Sequence, residues 1–179
     1  MALTNRFRVQ EKNFPYFITS AVTYWLPVFS KEDYFRLLAD GLQYCVEHKG
    51  LLVHAYVIMP NHFHIISSHQ DGKLPSVITD LKGYTSRQIA AKLEEDGRTV
   101  WLRALKAAGK QEIKIKFWQD GYHPEQVYSE EFFMQKVNYI HNNPVRAGFV
   151  SDPWMWKYSS AGFYYKEEEP VIPISPLMW

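Results

Sequence analysis

The spacing of apolar side chains along this 179-residue chain changes period several times, and each change predicts an element. Residues 16–25, YFITSAVTYW, are dense in aromatic and β-branched side chains and predict a first strand. Phe35, Leu38, Leu42, Cys45 and Val46 then recur at helical spacing, with Ser30 as N-cap, Glu32 and Asp33 in the first turn, and Gly50 at the stop. Residues 52–59 and 62–68 predict two strands joined as a hairpin by Pro60-Asn61. From Pro75 onward, Ile78, Leu81, Thr85, Ile89 and Leu93 mark a second long helix. Residues 96–111 carry no clear period and read as a helical or looped insertion. Ile113, Ile115 and Phe117 alternate with Lys114 and Lys116, which predicts a fourth strand ended by Asp120-Gly121. The order β-α-β-β-α-β is the split βαβ, ferredoxin-like arrangement: an α+β fold whose antiparallel sheet carries two helices on one face.

A further helix follows that unit. Ser129 is its expected N-cap, with Glu130 and Glu131 in the first turn, and Phe133, Val137 and Ile140 form its apolar stripe. Gln135, Tyr139 and Asn143 share a neighbouring stripe, so Tyr139 and Asn143 are adjacent in space. Pro144 is expected to end the helix at Asn143.

Composition narrows the class of protein. A chain this long with 46% hydrophobic residues can bury a sizeable core, and residues 1–165 read as a single domain followed by a tail, 166–179. That tail, acidic and then proline-rich, is either an arm for a second subunit or a simple extension. The single Cys45 excludes an internal disulfide framework, and no apolar run approaches a membrane span. The N-terminus lacks the apolar stretch of a signal peptide, so a soluble, cytoplasmic protein is expected. Aromatic residues reach 16%, with 12 Tyr, 11 Phe and 6 Trp; they fill cores, and they also make stacking platforms for unpaired bases. Net charge is only +1, but Arg103, Lys106, Lys110, Lys114 and Lys116 stand against the single Glu112, a local basic cluster that suits either plain solvent or phosphate.

Candidate chemistry starts at the second strand of the hairpin. Residues two apart in a strand share a face, so His62 and His64 project together while Phe63 and Ile65 go the other way. Two neighbouring imidazoles can hold a metal, but two ligands are not a site, and hydrogen-bonded sheet histidines would look the same in sequence. Likewise, a tyrosine beside a carboxamide near a helix end is compatible with a merely amphipathic helix.

Taken together, YVIMPNHFHII and the later VNYIHNNPVRAGFV resemble the IS200-like single-tyrosine transposases of the HUH nuclease superfamily, and most closely their REP-associated tyrosine transposase relatives. WKYSSAGFYY, residues 156–165, is similar to a Trp/Tyr-Ser-Ser stretch of those relatives. The resemblance implies that His62 and His64 bind a divalent metal, Mg2+ or Mn2+, that Asn143 completes the metal site, and that Tyr139 is the nucleophile. Insertion-sequence enzymes tend to have Gln where this chain has Asn143, a departure that points toward the domesticated branch. The implied reaction is attack of Tyr139 on a phosphodiester of single-stranded DNA near a hairpin, giving a 5′-phosphotyrosine and a free 3′-hydroxyl. A monomer or a homodimer is expected, associated with the nucleoid when bound to DNA. Gln135, Lys136 and His141 are site-adjacent candidates, and Lys82, Arg87, Lys114 and Lys116 are candidate DNA contacts. Two other readings compete: a catalytically silent module that binds structured nucleic acid, and an unrelated metal-dependent hydrolase with a carboxylate beside the histidines.

Overall fold

The computed structural model describes residues 14–109, 115–121 and 124–177. In chain order the elements are β1 (Tyr16–Ala21), α1 (Glu32–Lys49), β2 (Leu51–Met59), β3 (His62–His69), α2 (Leu74–Glu95), α3 (Thr99–Ala107), β4 (Glu125–Gln126), α4 (Glu130–Arg146) and α5 (Ala161–Lys166). A 3-10 turn, Thr23–Trp25, follows β1, and a second, Pro153–Met155, precedes α5. The sheet runs β2-β3-β1-β4 with antiparallel neighbours, the strand order of a ferredoxin-like βαββαβ unit.

Strand alternation divides the core in two. Tyr16 and Ile18 of β1, Val53, Tyr56 and Ile58 of β2, and Phe63 and Ile65 of β3 pack with α1 and α2 in one cluster. Phe17, Ala55, Val57, Met59 and Ile66 point the other way, onto Phe133, Val137 and Ile140 of α4. Helices α1 and α2 therefore cover one face and α4 the other. The helical stripe of α2 is buried as its spacing demands, Ile78, Leu81, Thr85, Ile89 and Leu93 included. Full burial of each such aliphatic side chain contributes about 1.5–3 kcal/mol.

Local signals set most boundaries. Gly50 closes α1 in the left-handed conformation, φ 67°, with its N–H on Cys45 O. The N-cap of α1 is Lys31 rather than Ser30, because the extended backbone of Lys31 turns its carbonyl onto the N–H groups of Tyr34 and Phe35. Ser129 caps α4 as expected, its hydroxyl accepting from Phe132 N at 3.2 Å.

Two further expectations are corrected. The fourth strand expected at 113–117 is not seen at its described positions: residues 115–117 form no strand, and residues 113–114, Lys114 included, lie outside the described residues. Two separate segments share the outer edge of β1 instead. The two-residue β4 pairs with Tyr16 and Phe17, whereas Thr23 N donates to Phe117 O and Gln119 N donates to Ala21 O, with Trp118 bridging Val22. Phe117 and Trp118 are both buried, which strand alternation at a half-covered edge would forbid. The stretch after α2, which reads as a helical or looped insertion, is helical over α3. Second, α4 runs through Pro144 to Arg146. Proline removes one helical N–H, and the turn around it is closed by Ala147 N on Asn143 O and Phe149 N on Pro144 O.

The chain beyond α4 returns to the free edge of β2. Ile58 N donates to Tyr158 O, Ser160 N to Tyr56 O, and Ser175 N to Val53 O. Ile172 is fully buried, so the tail seats on its own sheet. Among the described residues no helix is long and apolar enough to cross a membrane.

Candidate active site on the face covered by helix α4

His62 and His64 lie on the α4 side of β3, with ring centroids 4.7 Å apart. The antiparallel register sets His64 opposite Thr19 and His62 opposite Ala21. Thr19 Oγ1 lies 2.7 Å from His64 Nδ1, and Asn61 Oδ1 lies 2.6 Å from His62 Nδ1. The Asn61 amide nitrogen donates to Trp25 O, so its oxygen is the atom turned to His62 and can only accept. The neutral His62 ring therefore carries its proton on Nδ1 and keeps the Nε2 lone pair for a ligand. His64 reaches the same tautomer when its Nδ1–H donates to the threonine hydroxyl. Burial pushes both imidazoles toward the neutral form, His62 down to about 4 and His64 down to about 3, where the neighbouring His62 and the Lys136 ammonium add to the effect. Neutral imidazoles oriented through Nδ1 are the form in which histidine binds a metal, so the pair fits one.

Tyr139 reaches this pair from α4. Its ring stands edge-on to His64 at 5.3 Å and edge-on to Phe17 at 5.9 Å, while Phe17 stacks on His64 at 5.4 Å and 20°. The tyrosine remains 39% exposed, so a large substrate can reach it. Phe17 is thus a wall that both rings share. Asn143, half-buried, stands one helical turn beyond Tyr139 on the same side of α4. Among the described residues no group of three His, Cys, Asp or Glu forms a metal cluster.

The other candidates separate clearly. Lys136 flanks the site, its ammonium 4.6 Å above the Phe17 ring and 2.6 Å from Glu125 Oε2. Gln135 is exposed and lines a shallow cleft with Tyr128, Ser129, Glu131 and Phe132 near the start of α4. His141 is about 200° round the helix from Tyr139. It is fully buried on Ser160 Oγ at 2.8 Å, against Tyr164 and Tyr165, and its burial pushes it down to about 4. Its place is the joint between α4 and α5, away from the histidine pair. Lys82 and Arg87 belong to α2 and so lie across the sheet from the histidines. Lys116 pairs with Asp120 in a cleft with Tyr24 and Trp25.

Sequence reasoning passed over several residues of this site. Thr19 and Phe17 become visible only through the β1–β3 register. Asn61 reads in the sequence as a turn residue, yet its side chain links His62 to Trp25, whose ring meets His62 at 5.7 Å. Arg146 carries its guanidinium 5.5 Å from the Tyr139 ring centre; its spacing of seven residues from Tyr139 is the signal that could have found it.

Among solved structures, a REP-associated tyrosine transposase bound to a REP hairpin matches at 17% identity with a TM-score of 0.68, covering 99% of this chain and 94% of that one. A crystal structure of a candidate transposase from Deinococcus radiodurans is 22% identical over 75% of this chain and 94% of that one, but its TM-score of 0.47 is too low to speak for the fold. No curated protein matches the sequence. The sequence pattern of the family described as transposase IS200 like matches residues 11–143, from before β1 to Asn143. By that match, which spans most of its length, the chain belongs to the IS200-like transposases.

Proposed function

We propose that this chain is a metal-dependent strand transferase acting on single-stranded DNA beside hairpins, with Tyr139 as its nucleophile. The observation that carries the reading is the contact of the Tyr139 ring with His64, beside His62, in a chain of this family. The solved relative of like fold is held to a REP hairpin, which supports a hairpin-bearing DNA as the substrate.

Each residue then has a role. His62, His64 and Asn143 would hold a divalent ion, Mg2+ or Mn2+; when bound, it supplies positive charge to offset that building on the phosphate oxygens. Thr19 and Asn61 hold the two imidazoles in the tautomer that leaves Nε2 for the ion. Phe17 and the rigid α4 fix Tyr139 against the histidine face, so that its hydroxyl meets the phosphodiester in one orientation. Arg146 adds a fixed positive charge beside the phenol. Attack of the tyrosine oxygen on phosphorus forms the phosphotyrosine bond and releases a 3′-hydroxyl. Attack of another 3′-hydroxyl restores the phosphodiester and the free phenol, so bond energy is conserved and no nucleotide cofactor is needed.

The test is incubation of the purified protein with Mn2+ or Mg2+ and end-labelled hairpin oligonucleotides with single-stranded flanks, drawn from DNA flanking its gene. Cleavage with a denaturation-resistant protein–DNA adduct, absent from Tyr139→Phe and in EDTA, is the expected result. Metal-dependent cleavage that survives in Tyr139→Phe would replace this reading with a hydrolase. Binding without any cleavage would replace it with a silent binding module.

A further inference from the structure

The step between β1 and α1 is unusual. Tyr24 and Trp25 are consecutive, both hold positive φ, 59° and 54°, and both are exposed, at 63% and 53%. Left-handed backbone disfavours aromatic side chains, and two such residues in succession persist only where the surroundings impose them. Here they do. Val22 N donates to Asn61 O, Thr23 N to Phe117 O, Trp25 N to Val22 O, and the Asn61 amide reaches Trp25 O. Two large apolar faces are therefore displayed to solvent on a rigid mount, where burial would otherwise be the favourable state.

The mount is registered to the histidine pair. The Asn61 side chain donates to Trp25 O and accepts from His62 Nδ1, and the Trp25 ring meets His62 edge-on at 5.7 Å. Beside the two aromatics runs a cleft of about 370 Å³ whose polar lining comes from Thr23, Lys116, Gln119 and Asp120. Lys116 and Asp120 form an ion pair with each other, so the described residues that line the cleft offer a phosphate no net positive charge. What it offers is an aromatic face together with carboxamide and carboxylate groups, the chemistry that stacks and reads a base edge. Gln119 is itself held, its amide donating to Val22 O at 3.1 Å.

We propose that Tyr24 and Trp25 form a stacking platform for an unpaired nucleobase of the single strand that runs past the histidine pair, with Gln119 and Asp120 at the base edge. The platform rests on the DNA substrate proposed above and adds a binding subsite to it. Because Asn61 joins platform and His62, the stacked nucleotide lies a fixed distance from the scissile phosphate, and the platform sets which phosphate is presented.

The test uses Tyr139→Phe protein, so that binding is read without cleavage, and hairpin oligonucleotides whose unpaired flank carries a single abasic site moved one position at a time. One flank position is expected to weaken binding about tenfold when its base is removed. Trp25→Ala and Tyr24→Ala are expected to weaken binding of the intact oligonucleotide by a similar factor and to abolish the response to the abasic site at that position alone. Trp25→Phe, which keeps a stacking face, is expected to restore it. Circular dichroism identical to the parent confirms folding, which the exposure of both side chains favours. Unchanged binding in Trp25→Ala, or an abasic response that persists there, overturns the platform. Parallel cleavage assays in the Tyr139 background separate the two claims. Base-coupled binding without cleavage sinks the nuclease chemistry and keeps the platform, whereas cleavage at an unchanged site in Trp25→Ala sinks the platform and keeps the chemistry. A protein that binds no oligonucleotide sinks both.

Discussion

The two faces of the sheet are made from the same strands but answer to different demands. Toward α1 and α2, the inward positions of β1, β2 and β3 are sealed and mostly apolar, from Tyr16 and Ile18 through Val53 and Ile58 to Phe63 and Ile65, with the small hydroxyls of Ser20 and Ser67 buried among them. Toward α4, apolar packing by Ala55, Val57, Ile66, Val137 and Ile140 fills only part of the face. The remainder holds Thr19, His62 and His64, with Tyr139 above them. One face stabilises the sheet and thereby lets the other bury polar rings that contribute little cohesion. Alternation along a strand is what permits this division, since His64 can be buried between Phe63 and Ile65 without entering their core.

Substitutions on the two faces should therefore have opposite signatures. The largest stability effect belongs to the sealed face: Ile65→Ala, at a fully buried position, is expected to cost about 2–5 kcal/mol, read as a lower midpoint in urea. Thr19→Val, on the polar face, is expected to lower the midpoint less, costing about 1–3 kcal/mol for the buried Nδ1 left without its partner. It should weaken Mn2+ binding, read by calorimetric titration, by about 10–100-fold, because His64 loses the partner of its Nδ1. If Thr19→Val unfolded the protein as readily as Ile65→Ala, the division between the faces would be wrong. Between these in kind, Ser129→Ala removes the cap of the helix that carries Tyr139 and is expected to cost about 1 kcal/mol of stability.

The smallest effect is a pH dependence at the edge of β2. His54 Nδ1–H donates to Ser175 O at 2.6 Å, Ser68 Oγ lies 2.8 Å from Nε2, and burial lowers its affinity for a proton. The unfolded chain then binds the proton more readily than the folded one, so the contribution of His54 is complete above its ordinary value of about 6.5 and declines as the pH falls below it. Urea midpoints measured from pH 7.5 to pH 5 should fall, and His54→Gln should flatten the part of that decline due to this ring.

The sheet and its helices were largely legible in the sequence because long elements repeat their signal: α1, the β2–β3 hairpin, the stripe of α2 and the capped start of α4. Short elements do not. β4 has two residues, too few for any alternation, whereas the apolar and basic alternation at 113–117 imitates a strand although Phe117 and Trp118 turn into the core. Pro144 misled because a proline in the last turn forfeits a single helical bond rather than the helix. At the site, the residue pair within one strand was readable, as was the stripe within one helix. What joined them was not: Thr19, Phe17 and Asn61 depend on register between strands, and the placement of Tyr139 against His64 depends on α4 crossing the opposite sheet face from α1 and α2.

The return of the chain along β2 bears on how much of it forms a soluble unit. β2 is an edge strand of nine residues, most of them buried, and its outward backbone groups are occupied by Tyr158, Ser160 and Ser175. A fragment ended at residue 143, where the family pattern stops, would keep the histidines and the tyrosine yet present that strand bare. An uncovered apolar edge recruits other strands, so such a fragment would be a seed for intermolecular sheet growth rather than a minimal enzyme. The residues after 143 act as a built-in guard against aggregation, and expression boundaries drawn from motifs alone would cut it away.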